Sequence, residues 1–315
     1  MLLLKADQSC DTTTRSHEKK GYLMQQSLIT HYRSFSSFTY PGLYQERLRR
    51  DLPADIRQAG HLLRLQMIHK GTLYAGRART DTRTRYGDMS KVPWYRQSED
   101  DYFPTATAML AELYRRDARG FVLDRAEEHK LILTCRFVAI MMASILKSRG
   151  IPARVRAGYA PYIPSDQIET HWITQYWDDS HARWVTIDVD TSLEDRPFDP
   201  FDMPPGVFDF AATAWLTMRA GHKEATAYST HEGQHPLHAL ATQVITDFHY
   251  LMNNEITYTH IPAFIASGFE DTNEPQLQEV DALAHLLLRP EENFTRLQDI
   301  WETNRGFRLL RGSLI

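Results

Sequence analysis

Cysteine is scarce in this chain: two residues among 315, Cys10 and Cys135. That count excludes a disulfide framework. A bridge between the two is a poor expectation because Cys10 lies in a polar leader, and a reducing compartment is the natural reading. Long hydrophobic runs are missing too; none reaches the length of a membrane span, so a membrane is not an expected partner. Nor does one sign of charge dominate. Thirty-six Lys and Arg against 40 Asp and Glu leave a net charge of −4. With no basic field, neither nucleic acid nor an anionic membrane surface is expected as a partner. The opening MLLLKADQSCDTTTRSHEKKG has too few apolar residues for a signal peptide. A cytosolic protein is therefore expected, with Met24 as an alternative start.

What is present is ordinary globular material, 42% hydrophobic and 24% charged, enough chain to bury a core without staples. Residues 1–25 are polar and aperiodic and read as a mobile leader. Residues 41–70 carry helical spacing, with Leu62, Leu63, Leu65, Met67 and Ile68 as one apolar stripe and Asp55 at the helix start. Residues 75–103 are polar and loop-like, and a long loop in a compact domain is often functional. A helix is predicted over 104–117, opening with Pro104.

The central unit follows. Cys135 to Lys147 is almost wholly apolar and too long for a strand, so it reads as a buried helix. Thr134 can cap its start, and Gly150 supplies its stop. ARVRAGYA, HWITQYW and RWVTIDVD then alternate as strands, the last two joined by the turn-like DDSHA. Beyond Phe198 comes a Pro- and Phe-rich connector, and helices are predicted over 207–220, 236–254, 275–288 and 290–303.

A thiol at a helix start, followed by His171 and Asp188 on successive strands, can make a nucleophilic acyl-transfer site. Thiols attack as thiolates, so the pKa must fall from about 8.5, which a helix N-terminus and a neighbouring imidazolium can achieve. The imidazole must then be held in one tautomer by a third group. Side-chain alternation puts His171, Ile173 and Gln175 on one face of their strand, and Trp184, Thr186 and Asp188 on one face of theirs. A short hairpin makes His171 and Asp188 neighbours if those faces agree. Asp190 shares the Asp188 face, so register decides between the two.

The segments TCRFVAIMMASILKSRGIPARVRAGY, HWITQYW and RWVTIDVD resemble the core of the transglutaminase-like superfamily, over roughly residues 100–195. GIPAR, Gly150 to Arg154, is the most specific match. The resemblance implies Cys135 as nucleophile, His171 as general base and acid, and Asp188 as the orienting carboxylate. Two positions depart from the common pattern: Leu133-Thr134 stand where many relatives carry a glycine, and Trp172 follows His171 directly. The implied fold is α+β, a cysteine-protease-like core with an antiparallel sheet, N-terminal helices and a C-terminal helical extension. The implied division is a catalytic domain over 26–205 and an extension over 206–315 packed on it. The expected activity is thiol-dependent attack on an amide or ester of a peptide, a protein or a small molecule, with water as the default acceptor. An amine acceptor, as in a transglutaminase, and a non-catalytic scaffold on the same fold are the rival readings.

No cofactor is called for, and no acidic loop resembles a calcium site. One oxyanion donor is expected from the backbone N–H of Cys135. A second should lie upstream, with Trp94, Tyr95 and Tyr102 as candidates and Tyr159 and Tyr162 as further aromatics that could line a cleft. His231, His235 and His238 have ligand-like spacing, but no cysteine or carboxylate pair completes a metal site, so none is expected. The polar stretch around His249, Asn253, Asn254 and Glu255 reads as a solvated helix face or, alternatively, as a cleft wall.

Overall fold

The computed structural model describes residues 26–69, 71, 83–84, 87–230, 234–264 and 273–311; the expected leader lies outside them. A helix over residues 26–33, α1, is followed by α2 (Gln45–Arg50) and α3 (Ile56–Arg64). Asp55 caps α3 as expected, its side chain accepting from the Gln58 N–H. The helix nevertheless stops at Arg64, and the expected stripe does not continue through Met67 and Ile68. These belong to a strand, β1 (Met67–His69). An apolar run this short does not discriminate helix from strand; what decides is a partner far along the chain. β1 pairs in parallel with β4 (Leu131–Leu133), placing His69 opposite Leu133.

Between them lie a two-residue antiparallel pair, β2 (Arg83–Thr84) and β3 (Gly87–Asp88), and the helix α4 (Ala106–Arg116). α4 opens two residues later than Pro104, because the Thr105 hydroxyl caps it by accepting from the Ala108 N–H. The loop before α4 is anchored by two buried carboxylates. Glu99 accepts from the Ile132 N–H at 2.9 Å, and Asp100 accepts from the Thr134 N–H at 3.1 Å.

α5 (Cys135–Ser148) is buried along its whole length. Gly150, at φ +77°, turns the chain out of it. Its N–H bonds the Lys147 carbonyl, and the Ile151 N–H bonds the Leu146 carbonyl, so the helix end is satisfied. Three strands follow in antiparallel succession, β5 (Ala153–Ala160), β6 (Glu169–Asp178) and β7 (Arg183–Ile187). The connector adds a fourth, β8 (Asp209–Phe210), giving the order β7-β6-β5-β8. Helix was expected from 207. Pairing of Gly158 with Phe210 and Tyr159 with Asp209 makes 209–210 a strand instead, and α6 (Ala211–Arg219) starts after it. Gly158 permits this closure, since a Cβ there would lie 2.3 Å from the Asp209 carbonyl oxygen. The remaining helices are α7 (Pro236–Leu251), α8 (Glu274–Leu287), α9 (Phe294–Thr303) and the short α10 (Arg305–Arg308).

The chain is thus a mixed helix-and-sheet protein, with two main cores. Val155, Ala157 and Trp172 join α5 in one, together with Leu110 and Leu113 of α4. Trp215, Val244, Phe248 and Leu283 of the later helices build the other. A buried clamp ties the later helices to the sheet: Asp247 of α7 takes Arg156 of β5 in a two-pronged ion pair at 2.8 and 2.9 Å, and also accepts from the Ala157 N–H at 2.9 Å. The expected solvated face around this stretch is therefore not found; Asp247, His249 and Glu255 are all fully buried.

Removing one partner of such a pair strands a buried charge, which costs about 3–5 kcal/mol. Asp247→Ala should lose stability of that order in urea denaturation. Asp247→Asn, which keeps an acceptor for Ala157, should lose less. Unfolding of Asp247→Ala at the wild-type urea concentration would show that the clamp carries no net stabilisation.

Candidate active site

Cys135 is the first residue of α5, placed by β4 immediately before it. The amides of a helix's first turn have no partners within the helix, and their aligned dipoles favour negative charge at this end. Thr134 does not cap the helix with its side chain as expected; its hydroxyl accepts instead from the Tyr258 phenol at 2.8 Å. The helix start is thereby tied to the segment after α7.

His171 lies on β6 opposite Gly158. Its Nε2 is 3.0 Å from Asp188 Oδ2. The same carboxylate oxygen accepts from the Tyr162 phenol at 2.7 Å and the Thr191 hydroxyl at 2.7 Å, while Oδ1 accepts from the Thr191 N–H at 3.2 Å. The choice between Asp188 and Asp190 turns on where the β6–β7 ladder stops. Its last pair is Thr174 with Ile187; continued, it would set Asp190, not Asp188, across from His171. The chain leaves the ladder at Asp188, whose N–H bonds the Pro200 carbonyl at 2.8 Å. That departure brings Asp188 to His171 and turns Asp190 toward β1, where its Oδ2 lies 3.7 Å from His69 Nε2.

Burial pushes the Cys135 thiol up, but the charge of His171 and hydrogen bonds with the side chains of His171 and His69 outweigh it and bring the pKa down to about 7. Burial likewise opposes charge on His171, yet Asp188 and Cys135 raise it well above 6.5. The two shifts describe one coupled pair that favours thiolate and imidazolium together. With Nε2 engaged by Asp188, Nδ1 is the nitrogen left for the thiol. Such an arrangement can activate a thiol, pass its proton and return it to a leaving group.

A cavity of about 820 Å³ reaches the start of α5, where Thr134 and Arg136 line it but Cys135, His171 and Asp188 do not. His69, Thr134, Arg136 and Trp172 line it from the core, and Gln243 and Thr246 line it from α7. The Arg136 guanidinium sits over the rings of Trp172, at 4.3 Å, and Tyr258, at 3.8 Å, and donates to the Ile256 carbonyl at 2.7 Å. Its charge is thus held in the wall. Thr257, Tyr258 and His260 also border the cavity, so the polar stretch after α7 contributes a wall, though through these residues rather than His249, Asn253, Asn254 or Glu255.

The upstream aromatics are placed elsewhere. Trp94, Tyr95 and Tyr102 are 91%, 65% and 76% exposed, and none lines the cavity. Their loop buries Glu99 and Asp100 instead, so the rings face outward. Of the other two aromatics, Tyr159 lines the cavity and Tyr162 holds Asp188. His238 borders the cavity and His235 precedes α7; His231 lies outside the described residues. His69, beside the thiol, was not foreseen. Its strand is three residues long, too short to show a period, and its partner strand is remote.

Asp188 shows how pH acts on this arrangement. Burial raises its carboxyl, but His171, Thr191 and Tyr162 bring it to about 2, below the ordinary 3.8. A lowered folded value means stability that is complete above the ordinary value and lost as pH falls through the folded one. Asp188→Asn should therefore flatten the loss of stability between about pH 4 and 2. An acid limb identical to wild type would show that Asp188 is not held in this way.

No curated protein and no solved structure matches the chain. A family model, Transglut_core of the transglutaminase-like superfamily, matches residues 132–189, a span that begins within β4, holds α5, β5, β6 and β7, and includes Cys135, His171 and Asp188. Over these residues, a minor part of the chain, it is similar to the transglutaminase-like superfamily.

Proposed function

We propose that this protein is a thiol-dependent acyl-transfer enzyme with Cys135 as nucleophile, His171 as base and acid, and Asp188 as the group that orients His171. The observation that carries this reading is a thiol at a buried helix start whose pKa is lowered by His171, together with a carboxylate 3.0 Å from Nε2 of that histidine. A site of this kind attacks an amide or ester carbonyl to form a thioester on Cys135. The proton taken by His171 passes to the leaving amine or alcohol. Water then attacks the thioester, and the acid is released.

Hydrolysis is the favoured outcome. The cavity walls carry carboxylate, carboxamide and imidazole groups, a lining that does not exclude water as acceptor. The acyl donor is a peptide, a protein or a small amide, and the chemistry asks for no cofactor. A free thiol nucleophile suits a reducing setting such as the cytosol. The division into a catalytic unit over 26–205 and an extension over 206–315 fits a cleft whose second wall comes from α7.

Iodoacetamide labelling of Cys135 across pH, in wild type and His171→Ala, tests the activated pair. The wild-type thiol should titrate near 7 and the variant should move toward the free-thiol value of about 8.5. Turnover of an amide found by screening should fall roughly 10²–10⁴-fold in His171→Ala and vanish in Cys135→Ala. A primary amine added to that assay separates the acceptors, since a transferase would divert the product into an amide. A slow thiol with the same titration in both proteins would leave a scaffold on this fold as the better reading.

A further inference from the structure

The parallel pair β1–β4 brings a second imidazole to the thiol. His69 sits opposite Leu133, two residues before Cys135, lines the cavity, and is one of the groups that lower the pKa of the Cys135 thiol. Its tautomer is set by the backbone. Nδ1 accepts from the Gly71 N–H at 3.0 Å, which leaves Nε2 to carry the ring proton. Nε2 lies 3.7 Å from Asp190 Oδ2, and Asp190 is held by Arg64, whose Nε is 2.7 Å from its carbonyl oxygen and 3.3 Å from Oδ1. His171 is arranged the opposite way, with its Nε2 given to Asp188. One ring therefore turns an acceptor toward the thiol, and the other turns a donor.

Among the described residues, Asp190, the thiolate of Cys135 and the Arg64 guanidinium act on His69. Burial and Arg64 oppose protonation of the ring, and Asp190 and Cys135 favour it. The outcome does not alter the donor, because Nε2 keeps its proton in the neutral and the charged ring alike.

We propose that His69 is a catalytic hydrogen-bond donor of this site, whose Nε2–H acts with the Cys135 backbone N–H to hold the negative charge as it moves from sulfur to the acyl oxygen. The inference rests on the acyl-transfer reading above. When the sulfur–carbon bond forms, the carbonyl π pair moves to oxygen and is met by the two donors. When the bond to the leaving group breaks, that pair returns to the carbonyl, and the proton on His171 goes to the leaving group. His69 neither gains nor loses a proton in the cycle. Asp190 aligns the donor as Asp188 aligns the base.

Two probes separate this role from thiol activation. Alkylation by iodoacetamide displaces iodide and builds no oxyanion, whereas acylation by p-nitrophenyl acetate does. At a pH where the thiol is fully ionised, His69→Ala should slow the p-nitrophenol burst about 10²–10³-fold and leave alkylation unchanged. His69→Gln, which restores an N–H donor, should recover much of the burst. Equal slowing of both reactions, with no recovery by Gln, would reduce His69 to a structural residue. An unchanged burst in His69→Ala would overturn the donor role and leave the function reading standing, provided His171→Ala still slows both reactions at neutral pH. If His171→Ala changes neither, the function reading falls and this inference falls with it.

Discussion

The rest of the site depends on the burial of α5. A helix with every residue covered cannot slide or rotate without exposing apolar surface or opening gaps. Its first residue is therefore a fixed point, and Cys135 occupies it. Carboxylates from the preceding loop, Glu99 and Asp100, take backbone N–H groups of the segment that leads into the helix. At its other end Gly150 releases the chain toward β5. The dipole, the thiol and the neighbouring backbone donor thus arrive at one place as a consequence of packing.

Two aspartates two residues apart divide the work. Asp188 leaves the ladder and holds His171; Asp190 faces His69 and leans on Arg64. A strand alternates its side chains, so residues 188 and 190 would share a face if β7 continued. Ending the ladder at Ile187 lets the two carboxylates reach different histidines. Each carboxylate then orients its ring without competing for the other.

Much of this was legible in the chain. The apolar run from Cys135, the glycine stop and three alternating segments marked α5, β5, β6 and β7, because each is long enough to show its period. The hairpin spacing also brought His171 and Asp188 into range, and the structure joins them. What was not legible is short or remote. Met67 and Ile68 extend the spacing of α3, and only pairing with Leu131–Leu133 makes them a strand. Asp209 and Phe210 look like the approach to a helix until β5 claims them. His69 inherits the obscurity of β1. Trp94, Tyr95 and Tyr102 were attractive as aromatics near the site in sequence, but which way a loop turns its rings is decided by what it buries, here Glu99 and Asp100.

The parallel pairing of β1 with β4 also bears on when the site forms. Antiparallel β5, β6 and β7 can zip through local turns, whereas a parallel pair needs a long crossover, here one that includes α4. Non-local pairing is slow because chain closure costs entropy before contacts repay it. A chain still being made, with β1 unpaired, holds a Cys135 that lacks His69 and keeps more of an ordinary thiol's character. By that entropy cost, the antiparallel sheet is free to form before His69 is carried to the start of α5.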